Sequence, residues 1–426
     1  MKKTNLFIKL IAMALVLCVT TVLFAGCNKS DTVVMSFTAD NGKTYTITEE
    51  EFALLMKIRK RVFFCNMLYT TSKDTAEFWN TKSTEEPEQT NEQYYKDLVM
   101  DQVMAVLVEK YLFEREGLAI SADKLDSFKA GIKTDEKSAG GKGAYKQYYG
   151  YTAKTYYDLY SPMVTRSEML YEALCKDGAI LAASDKDLSD YYTEHYVGYQ
   201  YIVLDMKNKV ERDENGDRIR KTEKDSEGKE VESDSYKKVA LSTEEKEEKQ
   251  TLAKKILDML NDKENPKTFE EMIAEYSDDY YSVEFSEGRF VDKESTFLNT
   301  TVTDKIKDFK VGDMTAEAIS YGDYQYIVKK VELKPYAYEE FEKDENGETV
   351  KDENGKEVAN KYYEFFTDYV DTVEFDKYEK YVEAYFEQIQ VNTSITDAYT
   401  MKDTFLSSYV DYYYQQILYY YYGIQI

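Results

Sequence analysis

The pentapeptide Tyr-Gln-Tyr-Ile-Val occurs twice, as Tyr199-Gln200-Tyr201-Ile202-Val203 and as Tyr324-Gln325-Tyr326-Ile327-Val328, with no repeat around either copy. Alternation of this kind puts every second side chain on one face of a strand, so each copy presents phenols to one side. A phenol titrates near pH 10 and is a neutral hydrogen-bonding group at pH 7. Other chemistry is sparse. With one histidine, His195, and four cysteines in the chain, histidine-based metal sites and a Ser-His-Asp triad have almost no material. Asp-Glu-Asn-Gly appears three times, at Asp213, Asp344 and Asp352, and raises the question of calcium loops. Counting from Glu342 reaches Asp344, Asn346, Gly347 and Glu353, but the other copies lack the closing Glu and none opens with Asp, so all three read as type I′ hairpin turns. No metal and no cofactor is expected.

The elements that must position the phenols follow from periodicity. Residues 42–47 read as a strand, and Thr48-Glu49-Glu50-Glu51 as a capping box opening a helix. Phe52, Leu55, Met56, Val62 and Phe63 share one face of that helix. A polar loop is expected from Thr70 to Glu92. The apolar spacing of Val99, Val103, Val106, Leu107 and Tyr111 then predicts a long helix with Gly117 as its C-terminal cap. Ser121 starts another helix, a glycine-rich turn covers 139–143, aromatic helices cover 145–179, and Ser184 caps a short helix ending near His195. From Val197 the period changes to strand. A charged insertion spans 207–240, helices follow over Thr243–Leu260 and Phe269–Tyr276, then short strands over 285–291 and 316–319, and a last strand over Tyr324–Val331. Beyond Pro335 a charged hairpin precedes helices over 361–369 and 375–388, an extended 389–391, and a tyrosine-crowded end that is either a packed helix or a frayed tail.

Composition narrows the function classes. The 426-residue chain carries a formal charge of −26, which repels phosphate backbones and anionic headgroups and argues against nucleic acid as a partner. Membrane association would need an anchor. Residues 1–26 read as an export signal: Lys2, Lys3 and Lys9, an apolar run, then Ala25-Gly26-Cys27. That ending resembles the bacterial lipobox, with Phe24 where leucine is usual, and implies lipidation of Cys27. A plain secretory signal or an uncleaved membrane helix is the competing reading. In the mature chain only Cys65 and Cys175 remain, enough for one disulfide and no framework.

Taken in order, these segments resemble the PrsA/SurA-type secretion foldases, in which a helical chaperone domain is split around a parvulin (PpiC-type) prolyl isomerase domain. The likeness rests on 42–52, on Asp101-Gln102-Val103-Met104 through Ser121 and on Ser184-Asp185-Lys186-Asp187-Leu188. In the isomerase part it rests on Tyr201-Ile202-Val203-Leu204, on Phe269 through Ser277-Asp278-Asp279, on Val311-Gly312-Asp313-Met314-Thr315 and on Tyr326-Ile327-Val328-Lys329. It implies an α+β fold: a helical domain from 27–195 and 336–426, and an inserted small α/β domain over 196–335. It also implies that the first and last strands of the inserted domain are neighbours. Each carries an active-site histidine in the family, and here Tyr201 and Tyr326 stand at both places. Asp279 matches the family's Asp/Cys position. The family's Gly-Gly-Asp-Leu-Gly segment is reduced to 285–290, keeping Gly288 and Phe290, and Phe290, Phe297 and Val302 are the residues implied for the proline pocket.

The expectation is therefore a folding factor outside the cytoplasm, lipid-anchored at the outer face of the cell membrane. Its partners would be unfolded or newly secreted polypeptides, and its isomerase activity weak or lost. A fully active isomerase and a substrate-binding or adhesive surface lipoprotein are the alternatives. Against the site reading, Tyr201 and Tyr326 are also good strand formers, and Asp279 is also a plausible turn or helix-end carboxylate. The charged insertions imply solubility or reach and no site.

Overall fold

The computed structural model describes residues 31–422 apart from 177, 226, 227, 265, 266 and 296, so the export signal and Cys27 lie outside the described residues. The fold is α+β, divided into two compact units. Unit 1 takes the chain up to Ala182 and again from Glu374 on, and unit 2 runs from Ala183 to Val373.

Unit 1 is mainly helical. Ahead of the strand read at 42–47, strand β1 (Val33–Thr38) pairs antiparallel with β2 (Thr44–Thr48) on one side and with Gln390–Val391 on the other. Thr48 caps the Glu49–Asn66 helix in a full capping box with Glu51, satisfying two of the backbone donors that a helix start leaves open. The Asn91–Arg115 helix buries Val99, Val103, Val106, Leu107, Val108 and Leu112. The expected loop before it contains a short helix, Ala76–Asn80, because Trp79 is wholly buried and donates to Asp74 at 2.6 Å. Lys60, also wholly buried, pairs with Asp74 at 2.7 Å and donates to the Thr404 carbonyl at 2.7 Å, joining the early and late parts of the unit. The tyrosine-rich end is helical over Tyr409–Tyr422, and the Tyr409 ring stacks on Tyr149. Cys65 and Cys175 are both free thiols.

Unit 2 is built on a four-stranded antiparallel sheet. In chain order come β3 (Tyr196–Asp205), β4 (Asn208–Val210), β5 (Arg220–Lys224), β6 (Glu230–Tyr236), β7 (Lys238–Ala240), β8 (Arg289–Asp292), β9 (Ile319–Tyr321) and β10 (Tyr324–Val331). The sheet order is β8-β3-β10-β9. Helices Thr243–Leu260 and Phe269–Tyr276, each opened by a capping box, cover one face through Ile202, Leu204 and Ile327. Leu298, Val302 and Ile306 cover the other. Hence β3 is buried at all but its first residue.

Two expectations change, and the charged insertion gains a described structure. The domain boundaries at 195/196 and 335/336 move to 182/183 and 373/374. Tyr192 from the Asp185–His195 helix and Ala337, Tyr338, Tyr362, Phe366, Tyr369 and Val373 form one apolar cluster with Phe285 and Phe290 of unit 2. Residues 336–373 therefore do not return to the helical unit. The insertion is structured: β4 pairs with β7 and β5 with β6, and Arg218 and Arg212 donate to the carbonyls of Ser277 and Glu275. Finally, the Asp-Glu-Asn-Gly turns hold only glycine at positive φ, 87° at Gly216, 83° at Gly347 and 76° at Gly355. A type I′ turn needs positive φ at two residues, so these are hairpin turns closed by a left-handed glycine.

Candidate functional site

The register of β3 with β10 sets the site. Tyr201 lies opposite Val328 and Tyr326 opposite Val203. Directly opposed residues share a face, and side chains alternate with period two, so Tyr201, Val203, Tyr326 and Val328 all point the same way. The two copies of the pentapeptide are thus central neighbouring strands. Their phenols look onto one hollow of about 610 Å³, whose polar groups include Asp279, Arg289, Lys238 and Asn299 and whose apolar wall includes Phe297 and Leu298.

Asp279 holds two roles at once. Its Oδ2 accepts the Ser282 N–H at 2.8 Å as N-cap of the five-residue Tyr280–Glu284 helix, and it lines the same hollow as the Tyr201 phenol. Burial raises its pKa above the ordinary 3.8, opposed by the Ser282 N–H, the Tyr201 hydroxyl, Arg289 and Lys238. Burial and then the nearby Asp279 carboxylate push the Tyr201 phenol well above 10, so it stays a neutral donor. Tyr326 is also raised, by burial first and then Asp279.

Of the other residues implied for the pocket, Phe297 is in place, its ring 5.7 Å from Tyr201 and edge-on to it. Phe290 is not. It lies opposite Gly198 on the far face of the sheet, packed against Tyr362 with ring centroids 5.0 Å apart. A side chain at Gly198 would meet that ring at 3.1 Å, which accounts for the glycine. Its neighbour Arg289 lies opposite Tyr199 and so shares the phenol face. Val302 is wholly buried beneath the hollow and is core, not lining.

Several residues of the hollow carried no sequence signal strong enough to single them out. Lys238 comes from the charged insertion and pairs with Asp205 at 3.1 Å. Phe365 comes from the segment beyond Pro335, and its ring centroid lies 3.8 Å from the Arg289 guanidinium carbon. Asn299 sits at φ 77° and ψ 157° while capping the Thr300–Ile306 helix through Val302 N–H. That backbone region is nearly reserved for glycine and costs about 1–3 kcal/mol elsewhere, and such strain concentrates at ligand-binding places. An Asn ahead of Thr-Thr-Val was the available signal, as a helix cap. Among the described residues no group of three or more metal-ligating side chains converges.

A second concavity lies in unit 1, a groove of about 730 Å³ whose lining includes Phe63, Leu98, Val106, Phe375 and Phe386. At its wall Glu109 accepts from the Tyr378 hydroxyl at 2.8 Å and from Ser167.

No protein-family model and no curated protein matches the chain. Among solved structures it is similar to the foldase protein PrsA of Streptococcus pneumoniae str. Canada MDR_19A, at 16% identity over 72% of this chain and 86% of that one, TM-score 0.20. It is similar also to PrsA of Bacillus subtilis, at 14% identity over 70% and 84%, TM-score 0.22. For the foldase protein PrsA of Lactococcus lactis the identity is 12% over 85% and 96%, TM-score 0.19.

Proposed function

We propose that the chain is an extracytoplasmic folding factor, anchored to the membrane through Cys27, that binds unfolded secreted polypeptides and retains in unit 2 a proline-sized hollow with weak or lost isomerase activity. The observation that carries this is the pairing of β3 with β10, which brings two phenols and a buried carboxylate to one face above Phe297. Prolyl isomerisation forms no covalent bond. It lowers a barrier of about 18–20 kcal/mol by gripping proline and favouring the twisted amide, for which apolar walls and neutral donors are the right materials. Activity is weak on this reading because neutral phenols, Tyr201 and Tyr326, stand on the two central strands where the family carries its active-site histidines. The unit 1 groove offers client binding: Leu98 and Phe375 are exposed there, at 38% and 51%. Two matching α/β lobes, needed for the substrate-binding lipoprotein alternative, are not formed, since unit 1 is helical around a three-stranded sheet.

The test uses the mature chain in two assays, isomerisation of a short X-Pro peptide and aggregation of a chemically denatured client. Suppressed aggregation with little or no isomerisation supports the proposal. Rapid isomerisation abolished by Tyr201→Phe would establish the fully active enzyme instead, and inactivity in both assays with no peptide binding would end both readings.

A further inference from the structure

The hollow holds a cation whose placement the isomerase reading does not require. The Arg289 guanidinium is stacked on Phe365, with the Tyr281 and Phe285 ring centroids 4.9 Å and 5.7 Å away. Its Nε is buried and has no hydrogen-bond partner. The residue is nonetheless part of the wall of the hollow, which Tyr201 also lines, so the end that reaches the open space is the Nη end. Among the described residues no carboxylate lies within ion-pair distance of this guanidinium, whereas two other charges at the rim are matched. Lys238 is paired with Asp205 at 3.1 Å and Asp278 with Lys249 at 2.6 Å. Asp279 caps the Ser282 N–H and feels the charge of Arg289 without forming an ion pair with it. A chain of net charge −26 has thus set an aromatic-clamped, unmatched guanidinium at the mouth of a small hollow, the arrangement that recognises a carboxylate.

We infer that Arg289 is a specificity-determining residue that selects polypeptide segments bearing an acidic side chain next to the proline. This deepens the reading above and rests on it, because it assumes that the hollow takes proline. Lys238 supports the same preference from the insertion by keeping the adjacent Asp205 neutralised, so that an incoming carboxylate does not meet a bare acid.

The experiment titrates the mature chain with peptides identical but for glutamate or glutamine on either side of one proline, following Tyr201 and Tyr326 ring resonances by NMR. The better glutamate peptide is expected to bind about tenfold more tightly than its glutamine partner at low salt, with the advantage shrinking as ionic strength rises. Arg289→Gln should abolish the advantage, read as the ratio of glutamate- to glutamine-peptide affinity within the variant whatever it does to both affinities together, and Arg289→Lys, which keeps the charge, should retain part of that ratio. Equal binding of glutamate and glutamine peptides, or an advantage that survives Arg289→Gln, overturns the inference and leaves the proline-binding hollow standing. Binding of no peptide at all, glutamine forms included, overturns both together.

Discussion

Each unit sets a carboxylate of raised pKa beside a phenol, Glu109 in unit 1 and Asp279 in unit 2, and the two differ in what is left over. In unit 1, Glu109 spends both oxygens, Oε1 on Tyr378 and Oε2 on Ser167. Tyr378 arrives from a segment 269 residues away in sequence, so the bond is a clamp between distant helices. In unit 2, Asp279 accepts a backbone N–H and faces an open hollow that also holds a strained Asn299 and an Arg289 that forms no ion pair among the described residues. Burial raises the pKa of both acids. A buried, shifted carboxylate therefore does not mark a site by itself. Unspent donors and strained backbone around it are the better sign.

This contrast can be broken most forcefully at the clamp. Tyr378→Phe leaves Glu109 one donor short in a dry setting and should cost about 1–3 kcal/mol of unit 1 stability, read from the denaturation midpoint, with proline-peptide binding unaffected. Loss of peptide binding instead would mean the two carboxylates are not separable in role. Next in size, Asp279→Ala removes a helix cap and should cost about 1 kcal/mol, together with loss of the Tyr201 resonance shift on peptide addition.

A third experiment uses pH. Because the folded-state pKa of Asp279 is above 3.8, there is a window above that value in which the folded chain keeps a proton that the unfolded chain has released. Stability must fall as pH rises through that window and level off above it. Asp279→Asn keeps an oxygen for the cap but cannot titrate, so its midpoint should lack this fall and exceed the native chain's at neutral pH, the two converging toward pH 4 or so. The opposite slope would show that the hydrogen bonds outweigh burial. The smallest effect is expected at Tyr326→Phe, within about 0.5 kcal/mol in stability, because the ring is only partly buried and the packing is kept. Any residual isomerisation should still drop, and unchanged turnover would remove Tyr326 from the site.

Local signals in the sequence were legible where one element decides the outcome. Thr48, Ser184, Ser242 and Thr268 all cap the helices their capping boxes announce, and the period-two alternation of 324–331 gives β10 to the residue. What escaped depended on partners far away in the chain. Phe290 was assigned to the pocket and Arg289 passed over, although they are adjacent, because a one-residue change of register exchanges the two faces of a strand and nothing local fixes it. Phe365 and Lys238 reach the hollow only because the segments beyond Pro335 and within the insertion pack on the sheet. Their charge and turn content look the same whether a hairpin lies on a surface or stands free in solvent.

The central pairing has a cost in time. β3, apolar on both faces, meets its partner β10 only after about 120 further residues have been made, and contacts of such separation form slowly. During synthesis the chain carries an unpaired, two-sided sticky strand. A protein proposed to shelter unfinished polypeptides passes through the hazard it would relieve in others, and a first copy already folded at the membrane would be well placed to shield the next.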